Sequence, residues 1–188
     1  MKNLVLIICF IFIVSCSWRS PNSTFYTMNN FEEKKISDKK FEIAVTKVNV
    51  PDLLDRPQIV VYEKGSNKIE ILEFNRWGES LSNVIQSTIV NDLIGYFPNS
   101  FITRTYFESD KLKYNVVVDI NSIQSYKGDK VVTRIWWKIV NNEGRLLNRE
   151  QKIYEVKVKG ESIGDLVIAQ NKTINLLSKD IAEYLNDL

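Results

Sequence analysis

Val116-Val117-Val118-Asp119-Ile120-Asn121-Ser122-Ile123-Gln124-Ser125-Tyr126-Lys127-Gly128-Asp129-Lys130-Val131-Val132-Thr133-Arg134-Ile135-Trp136-Trp137-Lys138-Ile139-Val140 reads as two long β-strands joined by a tight turn. β-Branched and aromatic residues dominate both halves, and Lys-Gly-Asp is the single interruption, which is the composition of a hairpin. A two-residue Gly128-Asp129 loop of type II′ pairs Tyr126 with Val131. Carried along the strands, that pairing sets Ile120 opposite Trp137, Val118 opposite Ile139 and Ser122 opposite Ile135 on an apolar face. The reverse face receives Asn121 opposite Trp136, Asp119 opposite Lys138 and Ile123 opposite Arg134, a mixed surface with one opposite-charge pair.

Working outward, the flanking sequence supplies more strands and the helices that cover the apolar face. After the turn at Asn141-Asn142-Glu143-Gly144, a third strand runs from about Leu146 to Val158; its polar Asn148 to Lys152 stretch suits an edge strand or a protruding one and leaves its register open. The last element is a helix opened by a capping-box variant, Ser162 with Asp165. Its stripe of Val167, Gln170, Ile174, Leu177, Ile181, Tyr184 and Leu188, at alternating steps of three and four, fits a coiled-coil seam or a helix lying on a sheet. With only three heptads and a polar Gln, the helix on a sheet is the expectation. Toward the N-terminus, Leu81, Ile85, Ile89 and Leu93, widened by Val84 and Tyr96, form a second buried helical stripe that Pro98 ends. Phe25 to Met28, Phe41 to Val48, Ile59 to Tyr62, Lys68 to Phe74 and Phe101 to Phe107 are shorter strands. Of these, Phe41, Ile43 and Val45 share one face, as do Ile69 and Ile71. Gly65-Ser66-Asn67 turns Ile59–Tyr62 into a hairpin with its successor. The expected fold class is α/β, a mixed or mostly antiparallel sheet with two main helices packed on one face.

Composition narrows the chemistry. Apolar residues make up 44% and charged residues 26% of the 188, the profile of one domain with a real core. Lys and Arg number 25 against 23 Asp and Glu, so there is no electrostatic footprint for nucleic acid. The sequence contains no histidine, which removes the Ser-His-Asp triad, His-ligated metals and a histidine base. Its two cysteines, Cys9 and Cys16, both precede the folded part, so neither a disulfide nor a thiolate metal cluster is available there. With no glycine-rich phosphate loop either, the expectation is a protein without enzymatic activity and without a cofactor or metal.

The first residues carry a different signal. Lys2 precedes Leu4 to Val14, eleven apolar residues. A bilayer core of about 30 Å needs roughly 20, so the stretch reads as a signal peptide. Ile13-Val14-Ser15-Cys16 follows and resembles the lipobox of bacterial lipoproteins. In that chemistry the cysteine thiol takes a diacylglycerol and the peptidase needs a small residue before the new amino terminus. Residues 1–15 are therefore read as signal peptide, Cys16 as the lipid-attachment residue, 16–24 as a lipidated tether and 25–188 as the domain. Ser17, where an aspartate would favour inner-membrane retention, points to the outer membrane, with the domain on the periplasmic side.

Two further runs stand out: Val50-Pro51-Asp52-Leu53-Leu54-Asp55-Arg56-Pro57-Gln58-Ile59-Val60, and Arg76-Trp77-Gly78-Glu79-Ser80-Leu81 opening the first helix. Together with the lipobox and the Tyr26 strand they resemble the ABC-type transport auxiliary lipoproteins typified by PqiC. One departure is Ser80, where the family usually has proline; serine caps the same position. The resemblance implies an architecture related to the amino-terminal domain of TolB. It also implies a periplasm-facing accessory subunit of an MCE-type lipid transport system, docking a PqiB-like, MCE-domain partner at the outer membrane. An outer-membrane biogenesis lipoprotein that binds an envelope glycolipid or a barrel protein is the alternative, and a homo-oligomer is open.

Four residues are candidates for partner binding. Arg56 either fixes its turn by an ion pair with Asp55 or reaches a partner. Arg76 and Trp77 offer a stacked cation–aromatic surface, or else a Trp packed beneath the first helix. Trp136 falls on the mixed face between Arg134 and Lys138, as an exposed interface aromatic or as one covered by their long stems.

Overall fold

The computed structural model describes residues 21–28, 35–105 and 112–188. The expected signal peptide, Cys16 and the first residues of the tether lie outside them, as does Phe107 of the expected Phe101–Phe107 strand. In chain order the elements are β1 (Thr24–Tyr26), β2 (Glu42–Asn49), β3 (Gln58–Tyr62), β4 (Ile69–Trp77), α1 (Leu81–Tyr96), β5 (Phe101–Thr103), β6 (Tyr114–Tyr126), β7 (Lys130–Asn141), β8 (Leu146–Lys157) and α2 (Ile163–Asn186).

The strands form two sheets, a five-stranded one in the order β5-β2-β6-β7-β8 and a three-stranded one in the order β1-β4-β3. β6, β7 and β8 are antiparallel, whereas β2 runs parallel to both β5 and β6, so the larger sheet is mixed. The fold is thus the α/β class expected, with its strands divided between two sheets. α1 lies over β2 and β5, α2 over β6, β7 and β8, and the two helices pack against each other. Between helices and sheet lies the core, where Ile43, Ile85, Leu93, Ile135, Trp137, Ile139, Ile174 and Leu177 are fully buried.

The hairpin register differs from the sequence expectation. Tyr126 pairs with Lys130, not Val131, across a three-residue loop of Lys127, Gly128 and Asp129. The Asp129 N–H donates to the Tyr126 carbonyl at 3.1 Å, and Gly128 takes φ +66°, the positive value a type II turn requires at its third position. Gly128 is also where a Cβ would meet the Glu161 carboxylate. Farther along, the register slips again between Ile120 and Ser122, leaving Asn121 as a bulge. The physical reason is parity. Val116, Val118 and Ile120 point inward before the bulge, Ile123 and Ser125 after it, and all meet odd-numbered inward residues of β7. Because Ile120 and Ile123 stand three residues apart, one residue between them must bulge out of the ladder for both sets to stay buried.

The consequence is a re-dealt outer face. Asp119 lies opposite Trp136, Val117 opposite Lys138 and Ser122 opposite Arg134, so the expected Asp119–Lys138 and Ser122–Ile135 pairs are not formed. The inward Ser125 accepts a hydrogen bond from the Gln170 amide at 2.8 Å, and Thr133 and Thr173 share another at 2.9 Å. The first of these bonds gives the Gln170 amide nitrogen a partner within the apolar stripe of α2.

Both helix starts are capped as their sequences require. Ser162 and Asp165 form a reciprocal capping box. Ser80 Oγ accepts from the Asn83 N–H at 3.4 Å at the head of α1. β8 is the sheet edge, as its polarity suggested, and is fastened to α2 by side chains. The Tyr154 hydroxyl donates to Asp180 at 2.7 Å, the Lys152 ammonium lies 2.8 Å from the same carboxylate, and the Tyr184 hydroxyl donates to the Leu147 carbonyl at 2.9 Å.

Candidate docking surface

The two motif runs meet at the N-terminus of α1. Pro51 accepts from the Leu54 and Asp55 N–H groups, which curls the turn and buries Leu54. Pro57 then launches β3, and its carbonyl accepts from the Trp77 N–H at 2.7 Å. The Gly78 N–H donates to the Tyr26 carbonyl at 2.8 Å. Asp55 does not pair with Arg56. Its carboxylate accepts from the Ser82 N–H at 2.9 Å, so Asp55 and Ser80 satisfy two of the amide donors that the helix start leaves open. A carboxylate there also complements the helix dipole. Spacing alone gave no sign of this role, because the cap reaches across 27 residues of chain.

Trp77 is 3% exposed and belongs to the core, which corrects its candidacy as a contact surface: the ring presents nothing to a partner. Arg76, half-buried, is turned back on its own strand. Its Nε donates to the Glu73 carbonyl at 2.8 Å and its guanidinium pairs with the Glu73 carboxylate, which also accepts from the Gln58 amide at 3.3 Å. Arg56 is half-buried in its turn. Of the four candidates, then, three lie at or beside this junction, and only Trp77 is packed into its core.

Trp136 stands apart. It lies on the face of the five-stranded sheet opposite the helices, half-buried, and with Arg149, Glu150 and Gln151 lines a groove of about 510 Å³. The register arranges that face in rows. One runs Gln151, Trp136, Asp119, Asn49, and its last two members are joined by a 3.0 Å hydrogen bond. The adjacent row runs Arg149, Lys138, Val117, Lys47. On the other side, Arg134 donates to Gln124 at 2.6 Å and stands opposite Ile153, which is 62% exposed. Lys138 and Arg149 are cross-strand partners of like charge, an arrangement that costs stability in isolation. A half-buried Trp beside a row of cations is suited to an acidic, partly apolar protein surface. The sequence reading singled out Trp136 but missed Arg149 and Val117, which only the β7–β8 pairing and the bulge bring beside it.

Among the described residues, no helix is long and apolar enough to cross a membrane. No curated protein matches the chain. Among solved structures, one described only as an uncharacterized protein superposes with a TM-score of 0.71 at 18% identity, covering 88% of this chain and 99% of that one. A Xanthomonas campestris protein of family DUF330 gives a TM-score of 0.71 at 10% identity, covering 86% and 94% respectively. At such identities the likeness establishes the fold. A family model described as "ABC-type transport auxiliary lipoprotein component" matches residues 26–182, a span that takes in the α1 junction, both sheets and most of α2. The chain belongs to the ABC-type transport auxiliary lipoprotein family.

Proposed function

We propose that this chain is a periplasm-facing accessory subunit of an MCE-type intermembrane lipid transport system, PqiC-like in role, anchored to the outer membrane through Cys16. On this reading residues 1–15 are removed, 16–24 form the tether and 25–188 form the docking domain. The observation that carries it is the family match over residues 26–182, since an auxiliary component of ABC-type transport implies a transporter partner. The open sheet face around Trp136 is the surface best suited to that partner, with its cationic row facing acidic residues on an MCE-domain, PqiB-like subunit. Its action is docking, with the lipid carried by the partner, and no residue is assigned a catalytic role.

The test is recovery of the tagged full-length protein from membranes of cells fed labelled palmitate, with identification of what co-purifies. The expected result is label in the wild type, none in Cys16→Ser, and an MCE-domain protein in the wild-type complex. Label-free wild-type protein would remove the anchor. A partner set without a transport protein would remove the transport role.

A further inference from the structure

The three-stranded sheet has an outer face of its own. Phe25 of β1 lies opposite Arg76 of β4, and Arg76 and Gln58 both reach the Glu73 carboxylate, so Phe25, Gln58, Glu73 and Arg76 share one side. Gln58 alternates with Val60 and Tyr62 along β3, and these pair with Ile71 and Ile69, so both isoleucines fall on that side. Val60 and Tyr62 are packed against the core, with Tyr62 against Tyr126, and the bare part of the face is carried by β1 and β4. The irregular stretch between Leu72 and Arg76 makes this possible, because it turns Trp77 inward while leaving the isoleucines outward. Phe25 is 65% exposed, Ile71 40% and Ile69 37%, an unusual concentration of bare apolar side chains on one short sheet. The charges between them, Glu73 and Arg76, neutralise each other.

We propose that this face, through Phe25, Ile69 and Ile71, rests in the interfacial layer of the membrane that holds the lipid anchor. The inference rests on the anchoring of Cys16 proposed above. Phe25 follows Cys16 by nine residues, so even a fully extended tether holds it within roughly 30 Å of the lipidated residue. β1 is also the first element after the tether and an edge strand, which makes its sheet the part of the fold that connectivity brings nearest to lipid. Tethering turns a weak surface contact into an intramolecular one, so a few exposed apolar side chains suffice to keep the face seated. Entry into the headgroup region requires no bare ion to be stripped of water, because the one charged pair on the face is mutually compensated. The occupant is therefore a bilayer surface, and the Trp136 face stays free for protein.

The test uses the mature lipoprotein reconstituted into phosphatidylethanolamine–phosphatidylglycerol vesicles, with an environment-sensitive nitrobenzoxadiazole label at Phe25→Cys, Ile71→Cys or, as control on the helical layer, Ile168→Cys. On the anchoring reading Cys9 is gone and the Cys16 thiol is blocked by lipid, so labelling is specific. All three positions are exposed, so the substitutions are expected to leave the fold intact, which circular dichroism checks. Vesicle flotation reports the anchor independently of the label. The expected result is flotation of all three, with blue-shifted emission at 25 and 71 that doxyl-labelled lipids quench, and water-like, unquenched emission at 168. Flotation with water-like emission at 25 and 71 overturns the seated face while leaving the anchor. A blue shift there without lipid quenching also overturns it, in favour of a protein neighbour or a second copy. Failure to float overturns anchor and face together.

Discussion

Trp77 and Trp136 illustrate how differently the same residue type is used within one chain. Trp77 is enclosed where β4 passes into α1, so Trp77→Ala is expected to lower stability by about 3–5 kcal/mol, read from denaturant unfolding. A loss below about 1 kcal/mol would place the ring at the surface. Asp55 acts on the same junction from the other side, and Asp55→Ala is expected to cost about 1 kcal/mol through the open Ser82 amide. At the far end of α1, burial, helped by the carboxylates of Asp92, Glu183 and Asp180, pushes the Tyr96 phenol up to about 12. The folded state therefore keeps a proton that the unfolded chain releases near pH 10, and this contribution to stability, full below that pH, is lost as pH rises to about 12. Tyr154 is shifted in the same direction by burial and by its bond to Asp180. Tyr96→Phe is expected to lessen the alkaline fall in the unfolding midpoint, and an unchanged slope would contradict the assignment.

The elements obey their periodicity where one rule governs them throughout and depart from it where two rules meet. α1 and α2 follow the 3.6-residue spacing of Leu81, Ile85, Ile89, Leu93 and of Val167, Gln170, Ile174, Leu177, Ile181, because each has one face against a sheet. β6 changes its inward parity at Asn121, and the trace in the sequence is the three-residue step from Ile120 to Ile123, where alternation would give two. Deleting Asn121 brings Val116, Val118, Ile120, Ile123 and Ser125 into plain alternation on one face and closes the bulge, so the variant is expected to keep cooperative folding, and a non-cooperative circular dichroism melt would contradict the assignment. The turn itself depends on Gly128, whose φ of +66° costs a side-chain-bearing residue about 1–2 kcal/mol. Gly128→Ala, which must also displace the Glu161 carboxylate, is expected to destabilise by at least that much.

At the scale of the whole molecule, helices cover one face of the larger sheet, and Trp136 lies on the face they leave uncovered. Trp136→Ala is therefore expected to leave the melting temperature nearly unchanged while weakening recovery of the membrane complex. A large stability loss would reassign that ring to the core. The family and the α/β class were legible in the sequence, as were the helix stripes with their serine caps and the edge character of β8. Each is written in residues close together in the chain, where periodicity and capping act. The division into two sheets, the slipped hairpin, the Asp55 cap over 27 residues and the alignment of Lys138 with Arg149 were not. All depend on which distant strand a segment joins, and backbone hydrogen bonds are the same for every candidate partner; only the packing of both faces at once selects one. The sequence by itself determined what kinds of elements form and, within each unbroken stretch, which side is apolar. Tertiary structure decided which residues share a surface, because a single bulge re-deals every pair beyond it.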